Sequence, residues 1–431
     1  MRLFPCSRYL SNNVKFHYFS GLACLSLAAL AGLAGCAGAN GTAARDQPAP
    51  AGSADRWVDA WGASFLPTTI NGNLSAGVPT FDNQTVRFNI YAEVGGTRAR
   101  VKFTNKFGSE LLTIGEARLA LRDHDSAIMP GTDRALTFAG APGVTLPPGA
   151  EIWSDPADLA IPQHSDVAIS VFIPGKIKPT GFHPTGLKTM YLSAPGNFVS
   201  APTLPRATSN PATITSLFFL SDLQVLASAR TIVVVGFGDS ITDGANSNVD
   251  TNTSWPALLS QRLPAKADGT PVSVINMGIG SNRIVSADAA GPAGVKRFDD
   301  DVLARPNVKY VIVLEGINDI SYESASADQL IAAYRQLIAQ AHAHGLKIYG
   351  ATLLPILNSR KYTVPNEATR AAVNQWLRTA HEFDAVIDFE AAVRDPANPL
   401  SIRADLTRDY VHPNSAGYKL MAEAIPVELI Q

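Results

Sequence analysis

The stretch TIVVVGFGDSITDG, residues 231–244, decides the fold. Its first half, Thr231–Val235, runs apolar without alternation, which fits a strand covered on both faces. A glycine-rich turn follows and leaves Ser240 at its end. Four more runs of this kind occur at Val272–Ile275, Val308–Leu314, Lys347–Leu354 and Ala385–Ile387. Helical patterns separate them. Ser326-Ala327-Asp328-Gln329 reads as a capping box, Leu330, Ile331, Tyr334, Leu337, Ile338 and Ala341 form one stripe, and Gly345 stops the helix. Asn366–Ala380 repeats the pattern with Ala368, Val373, Trp376, Leu377 and Ala380, and a last helix follows Ser415. Five strands alternating with helices predict a three-layer α/β/α domain over residues 227–431, with a five-stranded, mainly parallel sheet.

Residues 55–226 read as β. Thr85–Val94 and Arg98–Phe103 alternate apolar with polar residues around Gly95-Gly96-Thr97, which predicts a hairpin. Leu112–Leu121, Val144–Leu146 and Val167–Ile173 are further short runs between Pro/Gly turns, and no amphipathic helix is evident. The expectation is an all-β sandwich, jelly-roll-like, as an accessory domain.

The N-terminus reads as an address. Residues 1–35 hold Arg2, Arg8 and Lys15 and no acid, and the apolar run Gly21–Gly35 has the length of a secretory signal core rather than a membrane span. Leu33-Ala34-Gly35-Cys36 resembles the bacterial lipoprotein processing box, which implies cleavage before Cys36 and lipidation of that residue. Residues 36–54 are rich in Ala, Gly and Pro and read as a flexible linker. The expected product is an exported cell-envelope lipoprotein, on the outer membrane or periplasmic face, touching membrane only through a lipid anchor at Cys36. Cleavage after Ala37-Gly38-Ala39 would instead make it secreted.

Composition narrows the partners. The 431 residues are 46% apolar and 17% charged, with a formal charge of −2 and no Lys/Arg cluster, which argues against nucleic acid. Cys6, Cys24 and Cys36 all lie at the N-terminus, so the remainder has no disulfide and no thiolate metal site. Oligomeric state leaves no mark on the sequence.

The chemistry-bearing blocks sit just after the apolar runs, where open α/β sheets bind ligands. Around Ser240 a dinucleotide fold would need glycine at Ile241, an α/β-hydrolase elbow would need it at Thr242, and no Gly-Lys-Ser/Thr follows. What remains is a nucleophile or a turn-capping serine. Asp409-Tyr410-Val411-His412 places an acceptor three residues before an imidazole, the local arrangement that a general base needs, or a plain surface loop. Asp405 is a rival acceptor; His124, His164, His183, His342, His344 and His381 are weaker bases. In Gly316-Ile317-Asn318-Asp319 the Asn318 amide is an oxyanion donor or satisfies local backbone, and Asp319 is placed to cap the next turn. Gly278 and Gly280 would let a backbone N–H approach a substrate closely.

Together these blocks resemble those of the SGNH hydrolases, the GDSL esterase/lipase superfamily. They are Gly238-Asp239-Ser240-Ile241-Thr242-Asp243-Gly244, Asn276-Met277-Gly278-Ile279-Gly280-Ser281-Asn282-Arg283, Gly316-Ile317-Asn318-Asp319 and Asp409-Tyr410-Val411-His412. The resemblance spans roughly Thr231 to Gln431. Ile241 replaces the usual leucine, and Ser281 stands where many members have glycine. It implies Ser240 as nucleophile and first oxyanion N–H, Gly280 as second, Asn318 as amide donor, and His412 as base oriented by Asp409, with no metal and no organic cofactor. Trp57–Ser64 and Phe107–Leu121 look like the companion domain of bacterial two-domain GDSL esterases.

The implied reaction is hydrolysis of carboxylic esters through an acyl-enzyme on Ser240. Small or acetylated polysaccharide esters are the expected substrates, since acetyl-xylan-type esterases are similar. Lipid or lysophospholipid esters, acyl transfer to a cell-surface sugar, and a sugar-binding or adhesion module with an inert hydrolase half are the alternatives. Trp57, Trp61 and Trp153 offer either core packing or a sugar-stacking platform.

Overall fold

Long β-branched runs in the second half do form a parallel sheet, and its order explains where the site lies. The computed structural model describes residues 55–430 apart from 71–72, 75–76, 208–211, 264–268 and 288–290. The expected leader, with Cys36, and the expected linker over 36–54 lie outside the described residues.

The N-terminal half is strand-rich, and no helix occurs before Ser240 among the described residues. Its main strands are β1 (Asp55–Gly62), β2 (Phe81–Ala92), β3 (Ala99–Thr104), β4 (Glu116–Leu121), β5 (Ser165–Ile177), β6 (Met190–Pro195) and β7 (Leu220–Ser228). One antiparallel sheet runs β1-β7-β3 and ends on Glu151–Trp153. The other is built around β6-β2-β5-β4.

The expected hairpin does not form. β2 pairs with β5 and β6, whereas β3 pairs with β7, so Gly95-Gly96-Thr97 crosses from one sheet to the other. Alternation reports which face of a strand is buried, not which strand lies beside it. The polar face of β2 is also not solvated. Arg87 is fully buried and donates to Ser170 Oγ and to the Ala201 and Ser126 carbonyls, because the 126 and 199–202 segments cover that face.

The C-terminal sheet comprises β8 (Ile232–Gly238), β9 (Val272–Gly278), β10 (Val308–Leu314), β11 (Lys347–Ala351) and β12 (Ala385–Ile387). All neighbours are parallel, in the order β9-β8-β10-β11-β12. Every residue of β8 is buried, as a strand covered on both faces requires. The chain leaves β8 in one direction to reach β9 and passes back across it to reach β10. With right-handed crossovers, the connecting helices therefore lie on opposite faces, and a crevice opens at the carboxyl ends of β8, β9 and β10.

The helix Ala327–Ala343 carries the capping box in full, with Ser326 Oγ accepting from the Gln329 N–H and the Gln329 side chain accepting from the Ser326 N–H. The next helix, Val364–Thr379, starts two residues earlier than its pattern suggested, with Pro365 in its first turn. Its buried face is also more polar than expected. Ala368 is exposed, and Glu367, Arg370 and Asn374 point inward. Arg370 is ion-paired at 2.6 Å to both Glu367 and Glu390, which makes that burial tolerable.

The two halves share one continuous apolar core, and the described residues form one compact unit. Charged groups pin the junction. Arg305 reaches Asp59 on β1 at 3.0 Å and Asp222 on β7 at 2.6 Å, and Ser273 on β9 donates to the Asp59 carbonyl at 2.7 Å. Both aspartate side chains are 2% exposed, so neither can turn to water instead. Arg305→Met leaves buried Asp59 without its cation and Asp222 with only Lys102, 3.0 Å away, and should cost about 3–5 kcal/mol in urea unfolding. A loss below about 1 kcal/mol would show that the junction does not depend on this pair of contacts.

Candidate active site

Ser240 owes its position to the turn that ends β8. Asp239 caps the short helical turn Ser240–Asp243, its Oδ1 accepting from the Ile241 N–H at 2.9 Å. The Ser240 hydroxyl stands 2.8 Å from His412 Nε2. His412 comes from a loop closed by Thr407, whose Oγ1 donates to the His412 carbonyl at 2.8 Å and accepts from the Tyr410 N–H at 2.9 Å.

On the far side of the ring, His412 Nδ1 lies 2.8 Å from Asp409 Oδ2. The other Asp409 oxygen accepts from the Val411 and His412 N–H groups at 3.0 and 2.8 Å. Partial burial pushes this carboxyl upward, but the His412 ring and the two backbone donors outweigh it and hold Asp409 well below the usual carboxylate range. An ionised Asp409 keeps the proton on Nδ1 and leaves Nε2 free to accept from Ser240. Asp405, the rival, is paired with Arg403 at 2.6 Å. His342 sits by Asp384, His124 by Asp123 and His164 by Ser260.

The second and third blocks meet beside this serine. The Ile279 N–H donates to the Gly238 carbonyl at 3.0 Å, drawing the end of β9 against the Ser240 turn. A side chain at Gly278 would lie 2.1 Å from the Asp243 nitrogen, so only glycine fits. Asn276 holds the same approach from below, accepting from Gly278 N–H and donating to the Thr242 and Asp243 carbonyls. Among the described residues the Gly280 N–H has no protein acceptor. Ser281 next to it takes a φ of 63°, a conformation that favours glycine.

Asn318 Nδ2 donates to the Asn282 carbonyl at 2.9 Å and approaches Asp239 Oδ2 at 3.4 Å. The next helix is capped by Ser326, and Asp319 serves elsewhere. Its two oxygens accept from the Ile284 and Val285 N–H groups at 3.0 and 2.9 Å, tying the third block to the second. Burial pushes Asp239 and Asp319 each up to about 6, against their backbone hydrogen bonds.

Two residues that the sequence did not single out support these blocks from behind. Arg297, 4% exposed, donates to the Gly238 and Met277 carbonyls at 2.7 and 2.8 Å and to Asn282 Oδ1 at 2.7 Å. It also pairs with Asp301 at 2.8 Å and lies 3.5 Å from fully buried Glu315, just past β10. No local pattern in Gly294–Phe298 signals this role, because apart from Asp301 these partners lie 15 or more residues away in sequence.

Residues 237–420 match the family model of the GDSL-like Lipase/Acylhydrolase family. The chain carries a GDSL-like lipase/acylhydrolase domain. It is an ester-hydrolysing enzyme. Solved structures similar to it include a lipolytic protein of the G-D-S-L family from Desulfitobacterium hafniense, 26% identical, covering 44% of this chain and 96% of that one with a TM-score of 0.36. A carbohydrate acetylesterase family member from Sinorhizobium meliloti is 15% identical over 46% of this chain and 97% of its own, TM-score 0.39. An acetyl xylan esterase is 24% identical over 45% and 97%, TM-score 0.35. No curated protein matches the chain closely enough to count as a relative.

The GDSL domain's site has a neighbour from the β half. His183 is buried with Nδ1 2.8 Å from the Ser64 carbonyl and Nε2 3.2 Å from Asp243 Oδ1, three residues after Ser240. Both ring nitrogens face acceptors, which suits an imidazolium. Burial works against that charge, but Asp243 together with backbone acceptors at Ser64 and Thr185 outweighs it, so the His183 pKa is raised. Thr185 Oγ1 and Asp243 Oδ2 are the atoms nearest the open side of Gly280, 3.8 and 4.0 Å from where a side chain would begin. Of the three tryptophans, Trp57 and Trp153 each carry the Arg100 guanidinium 4.6 Å from the ring centre, while Trp61 lines a cavity with Glu93, His183, Thr185, Asp243 and Asn276.

Burial pushes the Glu315 carboxyl of the GDSL domain up to about 8, with Arg297 opposing and Asp239, Asp319 and Asp301 adding to the rise. Between the ordinary glutamate value and about 8, the folded protein holds a proton that the unfolded chain has released. Stability from this group is thus present at low pH and lost as pH rises through that window. Glu315→Gln removes the dependence, so its urea midpoint relative to the parent should climb from about pH 5 to about pH 8. A flat difference over that range would show Glu315 ionised throughout.

Proposed function

We propose that this hydrolase cleaves acetyl or other short-chain esters of carbohydrate hydroxyls outside the cytoplasm, through an acyl-enzyme on Ser240. The observation that carries the nucleophile assignment is the 2.8 Å contact between the Ser240 hydroxyl and His412 Nε2, with Asp409 at 2.8 Å behind the ring. Ser240 Oγ adds to the ester carbonyl while Nε2 takes its proton. The resulting oxyanion is held by the Ser240 and Gly280 N–H groups and by the Asn318 amide. The imidazolium then protonates the leaving alcohol as the C–O bond breaks. Water, deprotonated by the same nitrogen, splits the acyl-enzyme into free acid and Ser240.

The substrate class rests on the wall beside Gly280. The nearest atoms there are the oxygens of Thr185 and Asp243, which suit a short acyl group and a hydroxyl-rich alcohol better than a hydrocarbon tail. Export and anchoring through Cys36 would place the enzyme where acetylated polysaccharide occurs.

Ser240→Ala should fold normally, judged by circular dichroism, and lose p-nitrophenyl acetate hydrolysis to background; retained turnover would remove Ser240 from the mechanism. Asn318→Ala should lower kcat by about 10²–10³, measured on the same ester. On a panel from acetyl to long-chain esters plus acetylated xylan, kcat/KM should fall with chain length and free acetate should appear from xylan. A preference for long chains, or acetyl recovered on a sugar acceptor, would contradict the substrate proposal.

A further inference from the structure

Lys361 is a buried cation whose partner is an amide. It is 5% exposed, and its Nζ lies 2.7 Å from Asn318 Oδ1 and 4.1 Å from the centre of the Tyr322 ring. Its backbone is fixed on both sides: the Lys361 N–H donates to Ser359 Oγ at 3.1 Å, and its carbonyl accepts from Asn366 Nδ2 at 2.9 Å. The residue therefore enters from the turn before the Val364–Thr379 helix with little freedom to choose another partner.

The consequence for Asn318 is geometric first. An ammonium has three donors and no acceptor, so it can face only the oxygen of the amide. Nδ2 is thereby turned to the other side, where it meets the Asn282 carbonyl and, more loosely, Asp239 Oδ2 beside the nucleophile. Flipped, the amide would set its oxygen against the Asn282 carbonyl and Asp239 Oδ2, acceptor facing acceptor. The second consequence is electrostatic. A cation on one end of the amide and a carboxylate near the other polarise it along one line, and a low-dielectric surround strengthens this.

We infer that Lys361 is a positioning residue of the oxyanion hole, locking the Asn318 amide nitrogen toward the reacting carbonyl and strengthening its N–H as a donor. This rests on the proposed role of Asn318. Burial lowers the Lys361 pKa, with Tyr322 and Asp239 only partly opposing it. Holding the charge here therefore costs the fold stability rather than supplying it, as expected of a group kept for the site.

The test is a double-mutant cycle on p-nitrophenyl acetate hydrolysis by the full chain. Lys361→Met should lower kcat by about 10–100-fold with KM changed less than about threefold, and without a drop in thermal midpoint. In an Asn318→Ala background the same substitution should have no further effect on kcat. Lys361→Gln, which offers a neutral donor to Oδ1, should fall between, separating orientation from charge. It also serves if the methionine variant does not fold.

A loss of equal size in both backgrounds, or a rise in KM with kcat kept, would overturn the inference. So would a drop in thermal midpoint with kcat unchanged. If Asn318→Ala alone keeps full kcat, the oxyanion role of Asn318 fails first. If Asn318→Ala is crippled and Lys361→Met is not, only the Lys361 inference fails.

Discussion

The site depends on one guanidinium. At the carboxyl ends of β8 and β9 the parallel pairing stops, and buried backbone carbonyls there need donors. Arg297 adds donors at the ends of β8 and β9, bonding the Gly238 and Met277 carbonyls directly and reaching the second block through Asn282. Its face packs 3.9 Å from the centre of the Phe237 ring, and Asp301 with Glu315 balances its charge. Such a desolvated ion is tolerable only because nearly every donor is used. The same contacts set the distance between the Ser240 turn and the loop bearing Gly280, so architecture and chemistry share one support.

Around that support the acids divide by environment. Asp409, given an imidazole and two backbone donors, stays ionised. Glu315, Asp239 and Asp319, deeper and with fewer cations nearby, are pushed upward. The β half takes part as well. Asp59 and Asp222 bind Arg305, a few residues after the helix that carries Arg297, and His183 braces Asp243, three residues after Ser240. A change in the β half would thus reach the Ser240 turn through buried ion pairs.

Much of this was legible in the sequence, for physical reasons. Unbroken apolar runs identify strands covered on both faces, and short glycine-bearing blocks at their ends are local enough to read. Ser240, Gly280, Asn318, Asp409 and His412 lie in such blocks, and the chain brings them to one sheet rim. Long-range pairing was not legible. Lys361 is 43 residues from Asn318 and Arg297 is 59 from Gly238, and nothing local marks a buried cation's partner. The missed sheet assignment of β2 and β3 and the polar face of the Val364–Thr379 helix have the same origin, since pattern reports burial and not company.

The central claim is that a single hydroxyl, that of Ser240, becomes acylated. Intact-protein mass spectrometry after treatment with a fluorophosphonate, followed by peptide mapping, tests this most directly. The expected result is one adduct per chain, on Ser240, with esterase activity lost in proportion. Full labelling elsewhere, or undiminished ester hydrolysis by protein labelled at Ser240, would contradict it.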